Sequence, residues 1–274
     1  MDVLISTSHG LGIVEGRKYH SLFKTSKLCY GLTWDGNKVY LISSEPENGG
    51  RNFIEVFEDG FKHVATIPIF ECFDAHEAVY ANGLLMVTNT GRHRVEIYET
   101  PTLEQFGYTS CFRNPKSHIN SIWWSGDGWG IIEHNFSDRT SVPSLARLFD
   151  LNWNQKMVIM VGNCAHSLFV IDNLLYVCSS NRRRIIRNNM GNGEWLETLL
   201  DGWVRGLGCD GVSVVCSGSI CAIRNKRHQL HDAKLFTLDM DLELKDSIDV
   251  PSVGQINAVR LIGSDDIAHN GIRL

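Results

Sequence analysis

Six polar residues stand at the starts of apolar segments along the whole chain, and their side chains suit metal or anion chemistry. They are Tyr30, His76, Asn120, His166, Arg205 and Asn257. Each is followed by a small or polar residue and then by a short apolar run. Imidazole nitrogens bind divalent metals, and a guanidinium binds carboxylate or phosphate groups. The pattern predicts one shared site if the fold brings the six segment starts together.

Three histidines form the predicted metal site. His76 and His166 open their segments, and His118 lies just before the third one. Their imidazole nitrogens suit a divalent transition metal of unspecified identity, with Glu133, Gln255 or water completing the ligand shell. Such a metal would act as a Lewis acid on a substrate oxygen. The alternative is a solvated channel whose histidines only form hydrogen bonds to neighbouring loops.

The other candidates divide between substrate binding and proton transfer. Arg205 is predicted to hold a small anionic molecule, because its planar guanidinium grips carboxylate or phosphate at two points. A salt bridge from Arg205 to Asp74 or Glu133 is the alternative. The predicted substrate-binding residues are Arg205, Asn120, Asn257, Asn89 and Trp203. The predicted catalytic residues, which would move a proton, are Glu133, Tyr30 and His134.

The elements that must position these residues are short strands in a repeating order. The segment starts recur every 39 to 52 residues. Five of the segments lead into a turn with Gly, Asn or Asp, such as Asn82-Gly83, and a second apolar run follows. Such pairs between apolar runs are hairpin signals, because Gly and Asn accept the positive φ of tight turns. The absence of helical periodicity predicts an all-β fold.

The repeat length predicts a six-bladed β-propeller as a single domain over residues 1–274, with blades that start near residues 30, 76, 120, 166, 205 and 257. Little more than one strand of the sixth unit fits after Asn257. The N-terminal segments Val3–Thr7, Gly12–Glu15 and His20–Lys24 are predicted to complete that blade and close the ring. Five and seven blades are the alternatives. Because first strands line a propeller's channel, the six polar residues are expected to meet at the axis.

Composition narrows the class of protein and its partners. The 274 residues are 43% hydrophobic and 21% charged, with a net charge of −5, which gives no argument for nucleic-acid binding. No apolar stretch is long enough for a spanning helix and the N-terminus has no signal-peptide pattern, so no membrane association and a cytoplasmic location are expected. The eight cysteines form no Cys-x-x-Cys pair and are expected to be buried thiols. The oligomeric state is left open.

Several motifs resemble an uncharacterised bacterial β-propeller family of unknown function. The motifs are Asp74-Ala-His76, Leu85-Met-Val-Thr-Asn-Thr90, Ser117-His118-Ile-Asn120-Ser121, Ala165-His166-Ser167 and Gly202-Trp-Val-Arg205-Gly-Leu207. This chain has Ser-His-Ile-Asn-Ser where the family pattern has Cys-His-Leu-Asn-Gly, and Ala165 where a proline is expected. The resemblance implies a propeller with a polar central site and supplies no reaction.

Two functions are consistent with these features. The first is a metal-dependent lyase or hydrolase that acts on a small anionic substrate at the axial funnel. The second is a non-catalytic propeller scaffold that binds a ligand or a protein. The concentration of His, Arg, Asn and Glu at one end of the repeats favours the enzyme.

Overall fold

The chain forms a six-bladed β-propeller in the computed structural model, which describes residues 1–45, 50–109, 118–134, 143–220, 229–263 and 265–269. Each blade is a sheet of four antiparallel strands. The sixth blade has the strand order β24-β1-β2-β3, so the N-terminal strands complete the blade that the last strand begins. The predicted fold class and ring closure are therefore confirmed.

The described strands follow the chain from the inside of each blade to the outside. The strands of the sixth blade at the N-terminus are β1 (Asp2–Thr7), β2 (Gly10–Glu15) and β3 (Lys18–Lys24). Blade 1 contains β4 (Leu28–Trp34), β5 (Val39–Glu45), β6 (Arg51–Glu58) and β7 (Lys62–Ile69). Blade 2 contains β8 (Ala75–Ala81), β9 (Leu84–Asn89), β10 (Arg94–Glu99) and β11 (Glu104–Thr109). Blade 3 contains β12 (His118–Trp124), β13 (Gly128–His134), β14 (Ser144–Asp150) and β15 (Gln155–Val161).

The second half of the ring repeats the arrangement. Blade 4 contains β16 (Ala165–Ile171), β17 (Leu174–Ser179), β18 (Arg184–Asn189) and β19 (Trp195–Leu199). Blade 5 contains β20 (Trp203–Cys209), β21 (Ser213–Ser219), β22 (Ala233–Asp239) and β23 (Leu244–Val250). The innermost strand of blade 6 is β24 (Ile256–Ile262). Short 3-10 helices span Thr90–Arg92, Ser180–Arg182 and Ile267–His269.

Burial along the strands explains the sequence pattern. The inner strands, such as β4, are buried almost throughout because they lie between neighbouring blades at the axis. The outermost strands, such as β7 and β19, alternate between exposed and partly buried residues, since one face packs on the blade and the other meets solvent. The apolar runs that opened each repeat are thus the inner strands.

The tight turns have the geometry that their residues predict. Asn82 and Gly83 join β8 to β9 with φ values of 51° and 83°. Asp172 and Asn173 join β16 to β17 with φ values of 49° and 63°. Two successive positive φ angles match the twist of antiparallel hairpins. These turns fix the register of the two inner strands in each of these blades.

The hydrophobic core lies mainly between adjacent blades. In its largest cluster the rings of Phe169 and Tyr176 stack at 4.6 Å and pack beside Val214 and Phe236 of the next blade. No disulfide joins the six cysteines that the structure describes, and all of these except Cys164 are buried. Cys111 and Cys221 lie outside the described residues. In the described part of the chain, no helix is long and apolar enough to span a bilayer.

Candidate functional site

Four imidazole rings form a row at the end of the axial channel where the inner strands begin, which we call the upper end. The ring centres of His76 and His118 are 5.2 Å apart, those of His118 and His134 are 5.4 Å apart, and those of His134 and His166 are 4.8 Å apart. The ring of Tyr30 meets the His76 ring edge-on at 5.1 Å. The structure therefore brings together five side chains that the sequence placed near the axis.

A β-bulge in every inner strand aims these side chains. The pairing register shifts within Cys29–Leu32, Ala75–Ala78, Ile119–Ser121, His166–Leu168 and Arg205–Leu207, and opposite β24 it shifts between Ser6 and Thr7. Each of the six polar residues of the repeat lies at or beside one of these shifts. A bulge leaves a residue unpaired and turns its side chain away from the regular alternation. In blade 5 the extra residue is Gly206 with φ 61°, where a Cβ would lie within 3.0 Å of Val259.

Asp74, His76 and His118 form the set best suited to a metal ion. Their three ligand atoms lie within 4.8 Å of one another, and no other such set occurs among the described residues. His76 Nε2 is buried and has no hydrogen-bond partner among the residues that the structure describes, although Asp74 Oδ1 lies 3.3 Å away. Two imidazoles and one carboxylate suit zinc, iron or manganese and leave further coordination positions open. The donor set therefore fits a divalent transition metal.

This set differs in one member from the three histidines that the sequence suggested. His166 is separated from His118 by the ring of His134, and Asp74 takes its place as the third ligand candidate. Asp74 precedes β8 and has a φ of 56°, so its position depends on the loop rather than on strand alternation. The predicted ligands Glu133 and Gln255 are not members of the set.

Hydrogen bonds distinguish the roles of the other two histidines. His166 Nδ1 lies 2.8 Å from the carbonyl oxygen of Cys164, which can only accept, so Nδ1 carries the proton and Nε2 the lone pair. Asn120 Nδ2 donates to Ala165 O at 3.0 Å and also to His134 Nε2. The lone pair of His134 Nε2 therefore already accepts a hydrogen bond. His166 is the better placed proton acceptor.

Burial keeps both of these imidazoles neutral. It lowers the pKa of His134 well below its ordinary value, and the nearby charges of His118, Arg205 and His76 lower it further. The pKa of His166 is also well below its ordinary value because of burial, then of Arg205, His134 and His76. At pH 7 the Nε2 lone pair of His166 is therefore unprotonated and can accept a proton, as a weaker base than an imidazole in water.

Arg205 and Asn257 add the groups that can bind an anion. Arg205 is 6% exposed and its Nη1 donates to Asn257 Oδ1 at 2.9 Å. Asn257 Nδ2 donates to the carbonyl oxygen of Cys29 at 2.7 Å, which ties blade 6 to blade 1. The effect of Arg205 on the pKa of His134 and His166 places its charge beside the histidine row. One fixed cation therefore accompanies the four imidazoles.

Three other predicted site residues lie elsewhere in their blades. Glu133 is 1% exposed and pairs with Arg147 Nε inside blade 3, because neighbouring residues on β13 face opposite sides and His134 takes the side of the axis. Asn89 caps the 3-10 helix Thr90–Arg92 and donates to Glu71 O and to Glu96. Trp203 lines a groove between blades 4 and 5.

A buried ionic network that the sequence reasoning missed lies further along the channel, and we call it the channel floor. Arg260 Nη2 of blade 6 lies 3.2 Å from Glu77 Oε1 of blade 2, and both side chains are at least nine-tenths buried. Asp266 accepts hydrogen bonds from the backbone N–H groups of Cys209 and Leu261.

The 3-10 helix Ile267–His269 completes the floor. It packs against β12, β16 and β20, and His269 Nε2 donates to Leu207 O at 2.7 Å. Glu77 and Arg260 are charged residues inside apolar inner-strand runs, and this is the signal by which the sequence could have revealed the floor.

Comparisons with known proteins identify the fold. No protein-family model and no curated protein sequence matches the chain. A protein of unknown function from Bacteroides caccae is similar in structure, with a TM-score of 0.67 at 12% identity over 94% of this chain and 97% of that one. A chain of the nidogen/laminin complex gives a TM-score of 0.71 at 10% identity over 94% and 97% of the two chains. A calcium-binding protein, regucalcin from Agrobacterium tumefaciens, gives 0.62 at 12% identity over 87% and 79%.

These likenesses show the fold alone, because one fold hosts many activities. The resemblance to a bacterial propeller of unknown function is confirmed at this level.

Proposed function

We propose that the protein is a metal-dependent lyase or hydrolase that acts on a small anionic molecule at the upper end of the channel. The observation that carries this proposal is the set of Asp74, His76 and His118, whose ligand atoms lie within 4.8 Å of one another. The neutral His166 lies further along the same row, beyond His134, and the charge of Arg205 lowers its pKa, so a base to accept a proton and a charge to hold the substrate accompany this set.

Each residue has a role in this scheme. A divalent metal at the three ligands would polarise a carbonyl or carboxylate oxygen. Arg205 holds the negative group of the substrate, and Asn257 orients the guanidinium through its 2.9 Å hydrogen bond. His166 Nε2 accepts the proton, either from a carbon next to the carboxylate in a lyase or from water in a hydrolase. Tyr30 is the candidate to return a proton to the leaving group.

The floor supports this chemistry by closing the channel behind the site. The Glu77–Arg260 pair and the helix Ile267–His269 lie across the inner strands. A substrate that enters from the upper end thus meets buried groups on its far side. Hydrogen bonds and charges act more strongly where water is excluded.

Turnover by the metal-loaded protein tests the proposal. Chelator-treated protein would be reloaded with zinc, manganese or iron and offered small lactones and phosphate esters, together with carboxylates that carry a leaving group at the β-carbon. We expect turnover that requires metal and that falls at least ~100-fold in His166→Asn, in line with the loss of a general base. His20→Ala is the control, since His20 lies on the outer strand β3 with its side chain 53% exposed.

The same experiment can reject the enzyme. If metal and a small anion bind and no substrate turns over, or if His166→Asn turns over at the wild-type rate, the assignment of a lyase or hydrolase is wrong. Metal and anion binding without turnover would identify the protein as a non-catalytic ligand-binding propeller.

A further inference from the structure

A groove between blades 4 and 5 lies at the same end of the propeller as the histidine row. Its volume is about 500 Å³, which is within the range of small-molecule sites. Asn181 and Arg183 line it from the loop between β17 and β18, Trp203 lines it from the start of β20, and Lys234 lines it from β22. None of these residues belongs to the proposed metal site.

The groove adjoins the His166–Arg205 end of the row. Ser180, the neighbour of Asn181, contacts His166 Nδ1 at 2.8 Å and donates to Val204 O at 2.6 Å. Trp203 lies two residues before Arg205 on β20. A molecule that binds at Arg205 is therefore close to the residues that line the groove.

The lining is rich in hydrogen-bond donors. Trp203 Nε1 and Asn181 Nδ2 are buried, and neither has an acceptor among the residues that the structure describes. Arg183 and Lys234 add two cations, against the single carboxylate of Asp201 in the lining. Lys234 Nζ lies 3.5 Å from Asp249, whose side chain is 83% exposed, so solvent weakens that pair.

Buried donors that lack an acceptor in the described part of the chain, next to cations, fit a ligand that brings acceptors and negative charge. Carboxylate and phosphate groups both meet this description. A water molecule accepts hydrogen bonds at one oxygen and carries no charge, whereas a carboxylate or phosphate offers two or more charged oxygens to the indole N–H, the amide and the guanidinium together.

We propose that this groove binds a second acidic group, a carboxylate or a phosphate, of an elongated substrate whose first acidic group is held by Arg205. The inference rests on the proposed function and adds to it the substrate class: a molecule with two anionic groups. Arg183, Lys234 and the Trp203 indole N–H then determine specificity, while the reaction takes place at the histidine row.

The indole N–H resonance of Trp203 reports on the groove directly. In metal-free protein labelled with ¹⁵N, this resonance is assigned by its loss in Trp203→Phe, and inorganic phosphate and acetate are titrated in separate arms. We expect a saturable shift of the Trp203 resonance, larger for whichever group the groove prefers. The apparent Kd should rise about tenfold in Arg183→Gln/Lys234→Gln, because charge-assisted bonds are the strong ones.

Arg17→Gln/Lys245→Gln is the matched control, since it removes the same charge from exposed residues on blades 6 and 5 and should leave the Kd unchanged. A Trp203 resonance that does not move, or moves equally in Arg183→Gln/Lys234→Gln, overturns the proposal. In metal-loaded protein, glutarate should bind more tightly than acetate, and this advantage should disappear in Arg183→Gln/Lys234→Gln. Equal affinity of the two acids in the wild type also overturns it.

Failure of the proposed function would look different. In that case metal binding or turnover would be missing while the Trp203 resonance still responded to anions. A loss of the groove response with intact, metal-dependent turnover would remove only the second acidic group from the substrate class.

Discussion

The two ends of the axial channel are built by the same inner strands and differ in how their polar groups are paired. At the floor, Arg260 faces Glu77, and Asp266 takes backbone N–H groups, so charges meet partners inside the protein. At the upper end, His76 Nε2 has no hydrogen-bond partner among the described residues and only the Asp74 carboxylate 3.3 Å away, and the Nδ1 hydrogen bond of His166 leaves that imidazole's lone pair on Nε2. The floor is thus suited to holding the ring closed, and the upper end is suited to binding an external group.

Burial of polar residues at a propeller axis therefore does not by itself mark the functional site. Glu77 and Arg260 are more deeply buried than His76 or His118. What distinguishes the upper end is a cluster of imidazole nitrogens beside a carboxylate, which is a donor set that divalent transition metals bind. Substitutions at the floor should therefore lower the stability and leave metal binding intact. Substitutions at the upper end should weaken metal binding and leave the stability nearly unchanged.

The largest effect on stability is expected from Arg260→Met. This change leaves the Glu77 carboxylate buried without its partner, and breaking a buried pair on one side costs ~3–5 kcal/mol of the free energy of unfolding. Denaturant unfolding followed by tryptophan fluorescence measures the loss. Glu77→Gln/Arg260→Met should recover a large part of it, because no buried charge is then unpaired. A loss below about 1 kcal/mol in the single variant would show that the floor does not hold the ring.

The largest effect on metal binding is expected at the other end, from His118→Ala. Loss of one of three ligands should weaken the binding of zinc by more than ~100-fold, which exceeds the effect of removing an outer partner of a ligand. Isothermal titration calorimetry measures the affinity. The free energy of unfolding of the metal-free protein should change by about 1 kcal/mol or less, as for a partly exposed side chain.

Zinc binding by Arg260→Met and His118→Ala shows whether the two ends of the channel act independently. Arg260→Met, at a temperature where it remains folded, should bind zinc with an affinity close to that of the wild type, and His20→Ala should do the same. A loss of zinc binding in Arg260→Met as large as in His118→Ala would mean that the two ends are one site.

Arg205→Gln should change anion binding and proton affinity in a predictable direction. The positive charge of Arg205 lowers the pKa of His134 and His166, so its removal should raise both pKa values, which NMR titration of the imidazole resonances measures. The affinity for acetate should fall about tenfold, as expected for the loss of a charge-assisted bond. Unchanged imidazole pKa values would place the guanidinium charge away from the row.

The pH dependence of stability should reveal the neutral histidines. His134 and His166 have pKa values below that of a histidine in the unfolded chain, so as the pH falls through 6.5 the unfolded chain gains protons that the folded chain does not. The contribution of these two histidines to the free energy of unfolding of metal-free protein should therefore decrease below about pH 6.5, by up to ~1.4 kcal/mol per pH unit for each. Burial raises the pKa of Asp266 to about 7, so this carboxyl contributes in the opposite direction.

His166→Asn isolates one of these contributions. The amide can still donate to the carbonyl oxygen of Cys164 and does not titrate. The slope of the free energy of unfolding against pH between about pH 5 and 6.5 should decrease by up to ~1.4 kcal/mol per pH unit, which is the contribution of one titrating proton. A slope identical to that of the wild type would show that His166 is protonated in the folded state.

The fold was predictable because its signals are local and repeated. Turns such as Asn82-Gly83 have residue types that accept positive φ, and they separate apolar runs of strand length. The return of the chain to close the sixth blade followed from the number of strands left over at the two termini. None of these inferences required knowledge of contacts between distant residues.

The site was predictable only in part, because strict alternation fails at the bulges. Alternation placed His76, His118 and His166 at the axis, where the structure has them. It could not foresee that the ring of His134 lies between His118 and His166, or that Asp74 rather than His166 joins His76 and His118 in the ligand set. Glu133 was expected at the site as part of the loop after the second strand, whereas it lies on β13 and pairs with Arg147 within the blade.

The visible spectrum of the protein titrated with Co²⁺ tests the metal site directly. We expect saturation at one equivalent, d–d bands that change when acetate is added, and loss of the bands in His118→Ala and Asp74→Asn but not in His20→Ala. Co²⁺ that shows no bands beyond those in buffer, or bands that persist unchanged in His118→Ala, would contradict the metal site at the upper end of the channel.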